Sequence, residues 1–112
     1  MKQPVPGIAM RTLFVVASFS FAAAASAAEH VIGQKNKNFT VSSVEAKVGD
    51  EVLFRNDDTV FHNIFSLTAG QSFDLGAYAP GLYKKIKLDK PGRIEVECAI
   101  HPRMKMLIDV SR

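Results

Sequence analysis

The sequence predicts a small all-β domain, a sandwich or barrel, behind a cleavable leader. Three observations carry this. Short apolar and β-branched runs are punctuated by Gly, Pro, Asn and Asp. No window sustains a helical period. The most apolar stretch sits at the N-terminus, after a basic residue and before small ones. The chain has 112 residues, enough for one domain and not two. A charged fraction of 22% argues against general disorder.

The leader comes first. Residues 1–28 carry Lys2 and Arg11 as their only charges, an apolar run over residues 13–25, and then Ser26-Ala27-Ala28. This is the pattern of a secretory signal peptide, with Met1 or Met10 as its start and cleavage after Ala27 or Ala28. The run is shorter than the roughly 20 apolar residues that a membrane span needs. Export to a bacterial periplasm is the expectation, with no membrane span left after cleavage. The domain proper is then residues 29–112. Those 84 residues keep 12 of the 14 basic groups and all 11 acidic ones, so the formal charge of +3 falls to +1. The electrostatic case for a nucleic-acid partner goes with it, and no nucleic-acid motif is present.

The strands follow in order. Residues 39–42 and 44–48 alternate or nearly so, and Gly49-Asp50 marks a turn. Residues 51–55 form a β-rich run closed by Asn56-Asp57-Asp58. Residues 61–67 and 82–88 are further strands, the second with Lys84, Lys85 and Lys87 interspersed. Pro91-Gly92 turns the chain into residues 93–98, where Ile94, Val96 and Cys98 share one face and Arg93, Glu95 and Glu97 the other. Residues 106–110 close the domain. Residues 74–78 read as a short helical turn, and the polar stretch 29–38 as an edge strand at most.

One constellation carries chemistry. Cys98 is the only cysteine, which excludes an internal disulfide and any zinc site of two or four cysteines. An exported domain this small commonly adds a disulfide or a metal, and here only the metal is open. Cys98 is followed by His101-Pro102-Arg103-Met104. Of the other two histidines, His30 lies too near the cleavage region to be a fixed ligand, which leaves His62. One thiolate, two imidazoles and a weak thioether are the donor set of a mononuclear blue-copper site. Met104 and Met106 both offer the thioether. Met106 has strand parity with Ile108 and Val110, and the His-Pro-x-Met spacing favours Met104.

At these residues the chain resembles the cupredoxins, the type 1 blue-copper proteins, in their small plastocyanin-like or amicyanin-like form. Cys98, His101, Pro102 and Met104 resemble the compact ligand loop, and His62-Asn63 the first ligand with its following Asn. Val48-Gly49-Asp50-Glu51-Val52 and Lys90-Pro91-Gly92 also fit, and the resemblance spans residues 37–110. It implies a Greek-key sandwich of about eight strands, one copper held by His62, Cys98, His101 and Met104, and one-electron transfer. It also implies a backbone N–H at Asn63 directed at the Cys98 sulfur. Ala99 stands where the family often has Ser or Thr tied to that Asn side chain, and Phe61 where amicyanin-like chains often have Pro.

The expected function is periplasmic one-electron transfer between redox partner proteins, a cytochrome c or a dehydrogenase among them. The chain itself transforms no substrate, is expected to be a monomer, and docks transiently near His101 with Phe61 and Pro102 at the rim. The alternative is a module for copper sequestration or delivery. The Lys84, Lys85, Lys87 and Lys90 cluster reads first as protection of a strand edge and second as a docking patch.

Overall fold

The computed structural model describes residues 2–4, 7, 12–19 and 26–112. Much of the expected signal peptide, including Met10, Arg11 and Ala25, lies outside the described residues. Among the described residues no helix is long and apolar enough to cross a membrane.

Nine strands run through the described residues: β1 Glu29–Lys35, β2 Asn38–Phe39, β3 Ser43–Lys47, β4 Glu51–Asn56, β5 His62–Ser66, β6 Phe73–Tyr78, β7 Tyr83–Lys87, β8 Gly92–Cys98 and β9 Lys105–Ser111. They form two sheets, ordered β2-β1-β4-β7 and β3-β9-β8-β5-β6. The pairings β1 with β4 and β3 with β9 are parallel, and the others are antiparallel. Alternation decides which side chains enter the core. On β8, Ile94, Val96 and Cys98 are buried while Arg93 and Glu95 face water. On β9, Met106, Ile108 and Val110 are buried on the same parity, and Val52 and Phe54 of β4 close the layer from the opposite sheet. Burying such side chains contributes about 1.5–3 kcal/mol each.

Two elements differ from the sequence reading. Residues 74–78 are not helical but belong to β6. Leu75 packs against the core and Tyr78 is buried, a spacing of three that imitates a helix. The cause is a β-bulge: between Asn63 and Phe65 of β5 the register slips, with Asn63 facing Ala77 and Phe65 facing Asp74. Gly76, at φ 71°, absorbs the extra residue. The second difference is β1, which is no edge strand: it lies between β2 and β4. Its buried Gln34 accepts a 2.8 Å hydrogen bond from the Tyr78 hydroxyl, tying the two sheets together through the core.

Tyr78→Phe leaves Gln34 without that donor, and Gln34 Nε2 already has no partner. We expect a loss of about 1–3 kcal/mol in urea unfolding, recovered in part when Gln34→Leu is added. No change in Tyr78→Phe would show that the pair does not hold the sheets.

The β1–β2 hairpin is a two-residue turn with Asn36 at φ 53° and Lys37 at φ 56°. That is the mirror-image turn which matches strand twist, at a steric cost for Lys37 that Gly would avoid. Its backbone N–H is held by Asp58 Oδ2 at 2.8 Å. On the far sheet edge, β7 exposes Lys84, Lys85 and Lys87, with Lys85 Nζ 3.0 Å from Glu29. This suits a protected edge.

Candidate metal centre

The sheet containing β8 and β5 builds the centre. Cys98 is the last residue of β8 and faces Ile64 of β5, so His62 at the start of β5 lies beside it. His62 is the first residue of β5. The connection from β8 to β9 then folds back. Ala99 N–H bonds the Asn63 carbonyl at 2.9 Å, and Met104 N–H bonds the His101 carbonyl at 2.9 Å, which closes a tight turn. Pro102 within that turn has no N–H to satisfy and a fixed φ.

The result brings together three donors predicted from sequence. Cys98 Sγ lies 3.7 Å from His62 Nδ1 and 3.6 Å from His101 Nδ1. All three donor atoms fall within 4.8 Å of one another. Metal bonds of about 2.0 Å to nitrogen and 2.3 Å to sulfur, opened to a trigonal angle, place N and S about 3.7 Å apart. The two sulfur–nitrogen distances therefore match those of a trigonal N₂S metal. Met104 is 1% exposed and sits in the same turn. Met106 is also buried, but it faces Val96 across the β8–β9 ladder. The remaining histidine, His30, stands apart from the cluster, 2.8 Å from Asp50.

Neighbouring groups fix these ligands. Asn63 N–H donates to Cys98 Sγ at 3.4 Å, as the resemblance implied. Asn63 Oδ1 is buried with no partner, and Ala99 has no hydroxyl to offer one. Sequence reasoning missed Asp58, which it treated only as a turn residue. Asp58 Oδ2 stands 3.1 Å from His62 Nε2. A carboxylate can only accept, so Nε2 carries the proton and Nδ1 offers its lone pair to the cluster. Hydrogen bonds from the backbone N–H of Lys37, then Thr59, and from the His62 ring hold the Asp58 carboxyl at about 2. The His101 pKa is lowered by burial, by His62 and by Lys37, against a smaller opposing pull from Asp58. A neutral imidazole is the form that binds metal.

His62 and Cys98 are buried, whereas His101 is half-buried and reaches the surface. Around it a shallow groove is lined by Lys37, Asn38, Ile100, Pro102 and Arg103. Phe61 and Ile100 are large apolar side chains left exposed.

A two-sheet sandwich closing over a His-Cys-His cluster, two of its three residues buried, is the arrangement of the cupredoxin fold. Comparison with solved structures agrees. A purple cupredoxin from Nitrosopumilus maritimus matches with a TM-score of 0.66 at 24% identity, covering 73% of this chain and 99% of that one. A reduced Cu(I) form of an amicyanin variant matches at 0.69 and 17% identity, over 74% and 82%. A copper-containing nitrite reductase from Thermus scotoductus matches at 0.70 and 24%, over 75% of this chain. The chain spans only 22% of that reductase's length. No protein-family model matches the sequence. The methylamine utilization protein MauL of Methylorubrum extorquens is 31% identical over 106 residues, 91% of this chain and 93% of that protein. The chain has the cupredoxin fold and belongs to the same family as MauL.

Proposed function

We propose that the protein is an exported one-electron carrier of the bacterial periplasm, with one type 1 copper held by His62, Cys98, His101 and Met104. The observation that carries this is the trigonal placement of Cys98 Sγ and the two Nδ1 atoms. Copper bound there would supply the Cu(II)/Cu(I) couple. The chain's own residues do the rest. Burial of His62, Cys98 and Met104 keeps water from the donors and holds their geometry. Such burial favours retention of the metal over delivery. The His101 edge is the exit, and the apolar surface of Phe61, Ile100 and Pro102 suits brief contact with a redox partner. Lys37 and Arg103 at the rim favour a partner with acidic groups nearby. The relative's name links it to methylamine utilization. A cytochrome c or a dehydrogenase as redox partner would suit that setting.

Adding Cu(II) to the processed protein tests the reading. An intense visible band, bleached by reductant and restored by oxidant, is expected. A colourless protein that binds no copper overturns it.

Met104 is the axial thioether in this proposal, because its N–H is bonded to the His101 carbonyl within the ligand turn, while Met106 pairs with Val96 in the β8–β9 ladder. Met104→Leu should shift the visible and EPR spectra and raise the reduction potential. Met106→Leu should change stability by less than about 1.5 kcal/mol and leave the spectra as they were. The reverse pattern would assign Met106.

A further inference from the structure

Both points at which the leader could be removed satisfy the small-residue pattern, Ala25-x-Ala27 and Ser26-x-Ala28. The fold distinguishes them. Ser26, Ala27 and Ala28 are all exposed, so either bond is accessible. Only Ala28 is bonded into the domain. Its N–H donates to Asp50 Oδ1 at 3.0 Å, and its carbonyl accepts from Glu51 N–H at 2.9 Å. The second bond sits where the parallel β1–β4 ladder begins, next to the pairing of Glu29 with Glu51. Asp50 is 7% exposed. Its other oxygen accepts from Lys47 N–H at 2.9 Å and lies 2.8 Å from His30 Nε2.

We infer that the bond between Ala27 and Ala28 is the processing site, and that the new α-ammonium of Ala28 forms an ion pair with Asp50 that closes the start of β1. This rests on the export reading above. Hydrolysis consumes one water: Ala27 leaves with the leader as a carboxylate, and Ala28 keeps the nitrogen as an ammonium. That nitrogen already stands at hydrogen-bond distance from the carboxylate. A neutral amide donor thus becomes a charge-assisted one without rearrangement. His30, on the same carboxylate, and the Lys47 amide complete its surroundings. Cutting one residue later removes the donor to Asp50 and the acceptor for Glu51 N–H together.

The full chain, produced with its own leader in a bacterial host, provides the test. The periplasmic fraction is sequenced from its N-terminus and weighed intact. A start at Ala28 is expected. A start at Glu29, or at any other residue of an exported chain, overturns the assignment and leaves export standing. A chain absent from the periplasmic fraction and still beginning at Met1 or Met10 in the cytoplasm overturns both. The ion pair has its own readout. Asp50→Asn keeps an acceptor oxygen and removes the charge, so it should lower the Tm of the processed chain by several degrees more than that of the unprocessed chain. Equal losses in the two overturn the pairing.

Discussion

Cys98→Ser is expected to abolish the visible band and weaken copper binding by orders of magnitude, while the metal-free domain stays folded. The thiolate is the one soft anionic donor in the cluster, and both imidazoles present Nδ1 to it. A serine hydroxyl is not ionised at neutral pH and is a hard donor, so the site loses both the charge and the covalency that favour copper. The fold should survive. Serine matches cysteine closely in volume, and its hydroxyl can use the Asn63 N–H that now reaches Cys98 Sγ. Urea unfolding of the metal-free variant should fall within about 2 kcal/mol of the parent. The larger difference appears with metal. A ligand at a thousandfold excess over its Kd stabilises the native state by about 4 kcal/mol. The parent should gain that on adding copper and the variant almost nothing. A variant that keeps the band, or gains as much stability from copper as the parent, contradicts the assigned site.

How much of this was legible in the sequence depends on how far apart the partners lie. Ile94, Val96 and Cys98 announce β8 because their alternation is local and undisturbed. Cys98, His101 and Met104 were readable because one short turn holds all three. His62 came from eliminating the other histidines, and the β5–β8 ladder supplied the physical reason afterwards. The misread elements depend on distant partners. The three-residue spacing of Leu75 and Tyr78 becomes intelligible only when the bulge against β5 is seen. Gln34 looks like a solvent residue until the Tyr78 hydroxyl, 44 positions on, meets it. The Asn36-Lys37 turn lacks the glycine that signals such hairpins, and what holds it is a carboxylate 21 residues away. Asp58 was hidden for the same reason: its neighbours Asn56 and Asp57 make it look like one more turn residue.

Asp58→Asn should raise the reduction potential of the copper-loaded protein. The carboxylate lies 3.1 Å from His62 Nε2 and its side chain is only 8% exposed, so water screens it weakly. A nearby negative charge stabilises Cu(II) more than Cu(I), and a carboxylate on the distal nitrogen makes the imidazole a stronger donor. Both effects favour the oxidised metal, so removing the charge favours the reduced one. At an effective dielectric near 20, unit charges interact by about 4 kcal/mol at 4 Å, and the energy falls inversely with distance. Asp58 stands one imidazole ring further from the cluster. A change on the order of 1–2 kcal/mol follows, roughly 40–90 mV for a one-electron couple. Asn preserves an acceptor for His62 and for Lys37 N–H, so the visible band should keep its shape. Asp58→Ala separates charge from geometry. It also frees the Lys37 amide, whose positive φ is costly, and faster hydrogen exchange there is expected even without metal. A potential that stays put in Asp58→Asn would mean that solvent screens the carboxylate fully. An unchanged Lys37 exchange rate in Asp58→Ala would mean that the hairpin does not depend on it.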